Sequence, residues 1–198
     1  MRERTFRSRL IAQLLADPPG ERPLKVADVG CGTGTLAIAL AESGAQITAI
    51  DADPRILELA RAKPGATAVR WTRARTEALP LEDCSVDRVV FSLVLHHLAD
   101  ATKRSALAEA VRVLRCRGRV HIADWGPPGD PIMRAAFANL QRVDGRGTTQ
   151  SLADGGLPSL LVKAGFADVA MRDRLRTGWG RLELWTAAKP NTDPKALT

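Results

Sequence analysis

Three glycines on alternate positions follow an aspartate in the segment K-V-A-D-V-G-C-G-T-G-T-L, which numbers them Asp28, Gly30, Gly32 and Gly34. A run of this kind lets the backbone turn sharply and lets a ligand come close where a Cβ would collide. A second acid, Asp51, ends the next apolar run, 21 residues after Gly30. A carboxylate at that interval can accept hydrogen bonds from both hydroxyls of a ribose. A glycine trio alone is also what a tight turn needs. With a strand before it, a helix after it and an acid at the right interval, a nucleoside cofactor is the better reading. Dinucleotide binders use G-x-G-x-x-G. Here the third glycine comes one residue early, and Thr35 stands where their third glycine would be.

Proton-transfer candidates lie farther along. His96 and His97 follow a β-like run, and imidazole titrates in the range a general base needs near neutral pH. If the strand pleat persists through them, only one ring faces a pocket, and His97 is the favoured one. Asp124 closes the next β-like run at the same edge and is the second candidate for contacting a substrate, the alternative being a cap on the Gly126–Pro128 turn. His121, two turns of pleat earlier, is expected to be a hydrogen-bonded sheet residue. Cys31, Cys84 and Cys116 form no C-x-x-C pair and no even framework, so reduced thiols and no metal site are expected.

These residues need a scaffold that brings strand ends together. Residues 25–29, 46–50, 68–72, 86–91 and 119–124 are short, apolar or β-branched runs. Helical patterns fill the gaps at 36–42, at 54–62 with proline in the first turn, and at 101–114. Strand and helix in alternation predict a doubly wound, mostly parallel α/β sheet of about seven strands with helices on both faces. Residues 166–175 and 180–188 are separated by so few residues that they should form a hairpin, which makes the last strand antiparallel. Residues 1–16 read as an amphipathic helix with Phe6, Leu10 and Leu14 on one stripe. One domain over residues 1–190 is expected, with 1–23 as helix and lead-in, 125–157 as a substrate cover and 191–198 as a polar tail.

The segment Asp28-Val29-Gly30-Cys31-Gly32-Thr33-Gly34 resembles motif I, D/E-x-G-x-G-x-G, of the class I S-adenosylmethionine-dependent methyltransferases. Three later segments extend the resemblance over about 165 residues: T-E-A-L-P-L, S-V-D-R-V-V-F-S-L-V-L-H-H-L-A-D, and E-A-V-R-V-L-R-C-R-G-R-V. They are similar to the branch that contains ubiquinone and menaquinone biosynthesis methyltransferases. The resemblance implies S-adenosylmethionine as cofactor. Asp28, Gly30, Cys31, Gly32, Thr33 and Gly34 would then wrap its methionine portion. Asp51 would hold the ribose, Ala52, Thr76 and Glu77 would lie at the adenine, and Ser92 and Leu93 would touch the methionine end through backbone groups. Arg4 or Arg9 of the first helix would approach the cofactor carboxylate. Arg75 departs from the pattern, standing where the family usually has an aspartate that accepts the adenine amine, and arginine cannot accept. Arg115-Cys116-Arg117-Gly118 departs from Lys-Pro-Gly-Gly at an expected turn.

Composition limits the function classes. The 198 residues carry a net charge of +7, which invites a nucleic-acid reading. The charge is scattered, however, and there is no Tyr, with only 4 Trp and 4 Phe available to stack on bases. The N/D/S-P-P-Y/F/W signature of base amino-methylating enzymes is replaced by Ser92-Leu93-Val94-Leu95. A small-molecule methyl acceptor is therefore expected, with nucleic acid disfavoured. A nucleic-acid or protein methyltransferase on the same fold, or a non-catalytic cofactor-binding module, are the alternatives. No apolar run approaches a spanning length and residues 1–6 are charged, so a soluble cytoplasmic protein is expected.

Overall fold

The computed structural model describes residues 2–16, 22–128, 152, 154–177 and 180–191. In chain order the elements are α1 (Arg2–Leu15), β1 (Lys25–Val29), α2 (Thr35–Glu42), β2 (Gln46–Asp51), α3 (Pro54–Arg61), β3 (Val69–Arg73), β4 (Val86–Ser92), α4 (Asp100–Val113), β5 (Leu114–Trp125), α5 (Leu157–Lys163), β6 (Ala167–Arg176) and β7 (Arg181–Ala188). The seven strands form one sheet in the order β3-β2-β1-β4-β5-β7-β6. Strands β1 to β5 pair in parallel, and β7 lies antiparallel between β5 and β6. The expected hairpin and antiparallel last strand are both present. The strand order reverses between β1 and β4, and in an open α/β sheet the ligand crevice forms outside the strand ends at that point.

Each face of the sheet has its own core. On one face, Phe6, Leu10 and Leu14 of α1 pack with Leu36, Ile38 and Leu40 of α2 over Val26, Ile47 and Val90. Leu10 and Leu14 are 1% and 0% exposed, so the stripe read in the first helix is its buried side. Each such side chain stabilises the docking of α1 by roughly 1.5–3 kcal/mol relative to exposure. On the other face, Ala106, Leu107, Ala110 and Val113 of α4 join Leu157 and Leu161 of α5 over Val89, Phe91, Val120 and Ile122. The strands alternate faces, which is why β1, β4 and the second half of β5 are nearly continuous apolar runs.

Two matched segments of the sequence prove to be structural. Arg112 donates to the carbonyls of Leu79 (3.0 Å) and Leu81 (2.8 Å) and to the carboxylates of Asp83 and Glu109, while Glu109 accepts from the Leu79 amide at 2.8 Å. The E-x-x-R of α4 thus fastens the β3–β4 loop. Asp87, at the start of β4, accepts from Arg22, Arg115 and the Lys25 amide. Although burial opposes its charge, those donors prevail and hold its carboxyl down at about 2.

The fifth strand begins earlier than the sequence pattern suggests. Leu114 pairs with Val86, and the register then shifts so that Arg119 pairs with Arg88. Residues 115–118, expected as a turn, therefore form an irregularity inside β5. Arg117 sits there at φ 64°, in the left-handed region, and its amide donates to the Lys189 carbonyl. No described helix is long and apolar enough to cross a membrane.

Candidate functional site

The chain leaves β1 at Val29 and turns at once. The amides of Gly30 and Cys31 both donate to the Ile50 carbonyl, at 2.8 and 3.0 Å, and the Gly34 amide returns to the Cys31 carbonyl at 3.0 Å. All three glycines have positive φ, but only two of them are also needed for packing. A Cβ on Gly30 would lie 2.5 Å from a methyl of Val94, and one on Gly34 would lie 2.2 Å from the Trp71 ring. A Cβ on Gly32 would meet nothing within 4 Å. The backbone at Gly32 is therefore open where a Cβ would stand.

Asp51 organises the loop from the end of β2. Its Oδ2 accepts from the Gly32 amide at 2.9 Å and its Oδ1 from the Asp53 amide at 3.0 Å. Each carboxylate oxygen can accept more than one hydrogen bond, so both keep acceptor capacity beyond these. Ala52 follows at the same edge and is exposed. Lys63 ties the loop down from beyond α3, donating to the hydroxyls of Thr33 (2.8 Å) and Thr35 (2.9 Å). The spacing of the sequence gives no sign of this lysine, which reaches the loop only through the packing of α3.

A cavity of about 260 Å³ opens beside the loop, lined by Phe6, Arg7 and Leu10 of α1, by Asp28, Gly30, Cys31 and Thr33, and by Ser92 and Leu93. Asp28 is 1% exposed and its Oδ2 has no hydrogen-bond partner. Burial, with the Asp51 carboxylate adding to it, pushes the Asp28 carboxyl up to about 7. Burial and the same two acids push the Cys31 thiol far above its usual range, which favours the neutral thiol. A buried acceptor without a donor, facing a cavity, suits a cationic ligand group.

The first helix supplies a cation to this cavity, and it is not the Arg9 expected from the sequence. Arg9 turns away and pairs with Asp173 of β6 at 2.8 Å. Arg7 lines the cavity instead. The side chain of Arg4 lies outside the described residues.

The chain leaves β4 through Leu93, which has φ 58° and donates its amide to the Ala123 carbonyl at 2.8 Å. That amide is consumed by the sheet and is not offered to a ligand. Residues 95–97 then form a turn of 3₁₀ helix. The pleat does not persist, so the two histidines are sorted by the turn. His96 is buried, its Nδ1 lies 2.7 Å from Asp124 Oδ1 and its amide 3.3 Å from Asp124 Oδ2. His97 is exposed, its ring centre 3.9 Å from that of His96. Asp124 also accepts from the Trp125 amide at 2.7 Å.

On the β3–β4 loop, Glu77 is half-buried and accepts from Arg75 Nε at 2.5 Å and from the Thr76 hydroxyl at 3.0 Å. Partial desolvation opposes the Glu77 charge, but Arg75, the backbone and Thr76 together hold its carboxyl below the usual range. The Arg75 side chain is largely exposed. His121 corrects an expectation. It is buried in β5, yet neither ring nitrogen has a hydrogen-bond partner. Most of the expected substrate cover, including Asn139, Gln141, Asp144 and Thr148, lies outside the described residues. Among the described residues no cluster of three or more His, Cys, Asp or Glu side chains is placed to hold a metal ion.

Comparison with known proteins agrees with this geometry. Residues 26–118 match a family of methyltransferase domains. A demethylmenaquinone methyltransferase of Deinococcus radiodurans is 34% identical over 139 residues, covering 68% of this chain and 55% of that protein. An uncharacterized methyltransferase of Synechocystis sp. is 32% identical over 155 residues, covering 78% of this chain and 71% of that protein. The solved structure of the YcgJ protein from Bacillus subtilis superposes with a TM-score of 0.78 at 18% identity, over 96% of this chain and all of that one. The chain spans about half the length of the demethylmenaquinone methyltransferases it matches. The glycine turn, the acid at the end of β2, the order of the seven strands and these relatives agree, and the chain belongs to the class I S-adenosylmethionine-dependent methyltransferases.

Proposed function

We infer that this chain transfers a methyl group from S-adenosylmethionine to a small-molecule acceptor. The observation that carries the reading is Asp28, buried at the lining of the cavity with its Oδ2 unpartnered among the described residues, close to the open Gly32 backbone. Bound there, the cofactor supplies a methyl group already activated on a sulfonium. The chain's own residues then position. Asp28 receives the α-ammonium, Arg7 the α-carboxylate, Asp51 the ribose hydroxyls, and Ala52, Thr76 and Glu77 border the adenine. Holding two reactants in attack geometry is worth on the order of 7–11 kcal/mol, so positioning alone is a large part of catalysis.

His96 and Asp124 form the general base for an acceptor that must lose a proton. Asp124 lies 2.7 Å from His96 Nδ1 and so holds the ring's orientation. His97, the ring favoured on strand geometry, is exposed next to this pair and is better placed to contact an acceptor than to share the Asp124 carboxylate. The relatives named for demethylmenaquinone support a small aromatic acceptor over a polymer. Incubating the protein with methyl-labelled cofactor and a panel of quinols, phenols, amines and RNA tests this. Label in a quinol or phenol is expected, and label in RNA alone would overturn it.

The adenine edge gives a further expected result. Arg75 occupies one oxygen of Glu77, so Arg75→Asp both releases Glu77 and adds an acceptor for the adenine amine. Affinity for S-adenosylhomocysteine should rise by about 0.5–1.5 kcal/mol, the net value of one hydrogen bond, as measured by calorimetric titration.

A further inference from the structure

A second cavity, of about 280 Å³, lies under the C-terminal half of α1 and is lined by Gln13, Ala16, Arg119, His121, Arg172 and Thr186. These residues come from α1, β5, β6 and β7, and His121 and Thr186 are direct cross-strand partners whose side chains share one face. Both are 3% exposed. Among the described residues neither ring nitrogen of His121 has a hydrogen-bond partner, and the same holds for Thr186 Oγ1, Gln13 Oε1 and Arg119 Nη1. Five polar atoms left unmade around one cavity are far from the rule that buried polar groups are satisfied. Each unpaired group costs on the order of a hydrogen bond, so the cluster is built for something that fills it.

The charge says what that is. Arg119 and Arg172 line the cavity, and Arg88 of β4 adds its field from the neighbouring strand, its guanidinium held by the carbonyls of Asp87 and Ala16. No carboxylate lines the cavity among the described residues. Burial first, and then the three arginines, Arg88, Arg119 and Arg172, push the His121 imidazole down to about 3. Two guanidinium groups, a hydroxyl, an imidazole N–H and an amide that can turn its NH₂ inward are donors for a compact multivalent oxyanion.

We propose that this cavity is a binding site for an oxyanion of the phosphate class, separate from the cofactor cavity, seated on Arg119, Arg172, His121 and Thr186 between α1 and the β5–β7 pair. The anion satisfies the unmade donors and neutralises the arginine field. It comes either as free phosphate or as the phosphoryl end of a small metabolite. The site sits against the same helix whose other end, through Phe6, Arg7 and Leu10, walls the cofactor cavity.

The experiment titrates the full chain with inorganic phosphate and, separately, with glycerol 3-phosphate, at ionic strength held constant with chloride. Heat and the imidazole resonances of His121 are both followed. Saturable binding is expected, with movement of the His121 resonances and a rise in its pKa as the anion offsets the arginine field. Arg172→Gln, at an exposed position that leaves the core intact, and Thr186→Val, of equal shape, should each weaken binding at least about tenfold. Tighter binding of glycerol 3-phosphate assigns the site to a phosphoryl metabolite, and equal or weaker binding assigns it to the free ion. Absence of saturation by both probes, stationary His121 resonances, or unchanged affinity in both variants would overturn the proposal.

Discussion

Affinity for S-adenosylhomocysteine should strengthen as pH rises from about 5.5 to 8, and Asp28→Asn should flatten that dependence. In the unliganded protein the Asp28 carboxyl titrates at about 7, because it is buried and faces the Asp51 charge. The α-ammonium of the ligand pairs with the ionised form, so binding below pH 7 must first expel a proton. Linkage then costs up to about tenfold in affinity for each pH unit below 7, until the depressed pKa of the complex is reached. Calorimetry in buffers of different ionisation heat would also register the released proton. Asp28→Asn should bind about 1.5–3 kcal/mol more weakly at pH 8, the value of a hydrogen bond to a charged group. A pH-independent wild-type affinity would mean that the ammonium lies elsewhere.

The same group makes an opposite contribution to folding stability. Its folded pKa of about 7 lies above the unfolded value of roughly 3.9, so the native chain binds more protons than the unfolded one between those limits. Stability from Asp28 is therefore present at low pH and falls as pH rises from about 4 to 7, by about 4 kcal/mol at most. A ligand cation paired with Asp28, as proposed, would relieve that cost.

The second large effect is on turnover. His96→Gln and Asp124→Asn should each lower kcat by about 10²- to 10⁴-fold on a hydroxyl or activated-carbon acceptor, with affinity for S-adenosylhomocysteine unchanged. Asp124→Asn acts by presenting the wrong tautomer of the His96 ring, since an amide can donate to Nδ1 where the carboxylate accepts from it. His97→Gln should raise KM for the acceptor and leave kcat nearly intact. A loss of kcat confined to His97→Gln would reassign the base to the exposed ring.

Much of this was legible in the sequence, for reasons particular residues make plain. The glycine loop and Asp51 are local: the turn after β1 and the acid at the end of β2 are bound to each other through Gly32 and Asp51. The mostly parallel sheet follows from strand–helix alternation and crossover rules, and the hairpin from the short 176–179 connection. What the pattern could not give depends on contacts distant in sequence or on a change of backbone conformation. Arg9 finds Asp173, 164 residues away, which leaves Arg7 to the cavity. That His96 is buried and His97 exposed turns on Leu93 entering the left-handed region and ending the pleat, and leucine carries no signal for that. His121 reads as an ordinary strand residue until its neighbours across the sheet, Arg88, Arg119 and Thr186, are in place.

The most direct measurement is a calorimetric titration of the protein with S-adenosylhomocysteine and with NADH, repeated on Asp51→Ala. S-adenosylhomocysteine should bind in the micromolar range, roughly 6–8 kcal/mol, and NADH should not bind. Asp51→Ala should cost about 1.5–3 kcal/mol of that affinity, because Asp51 holds the Gly32 amide and, on the proposed reading, would also receive the ribose. Binding of NADH in preference to S-adenosylhomocysteine, or an affinity indifferent to Asp51, would contradict the account.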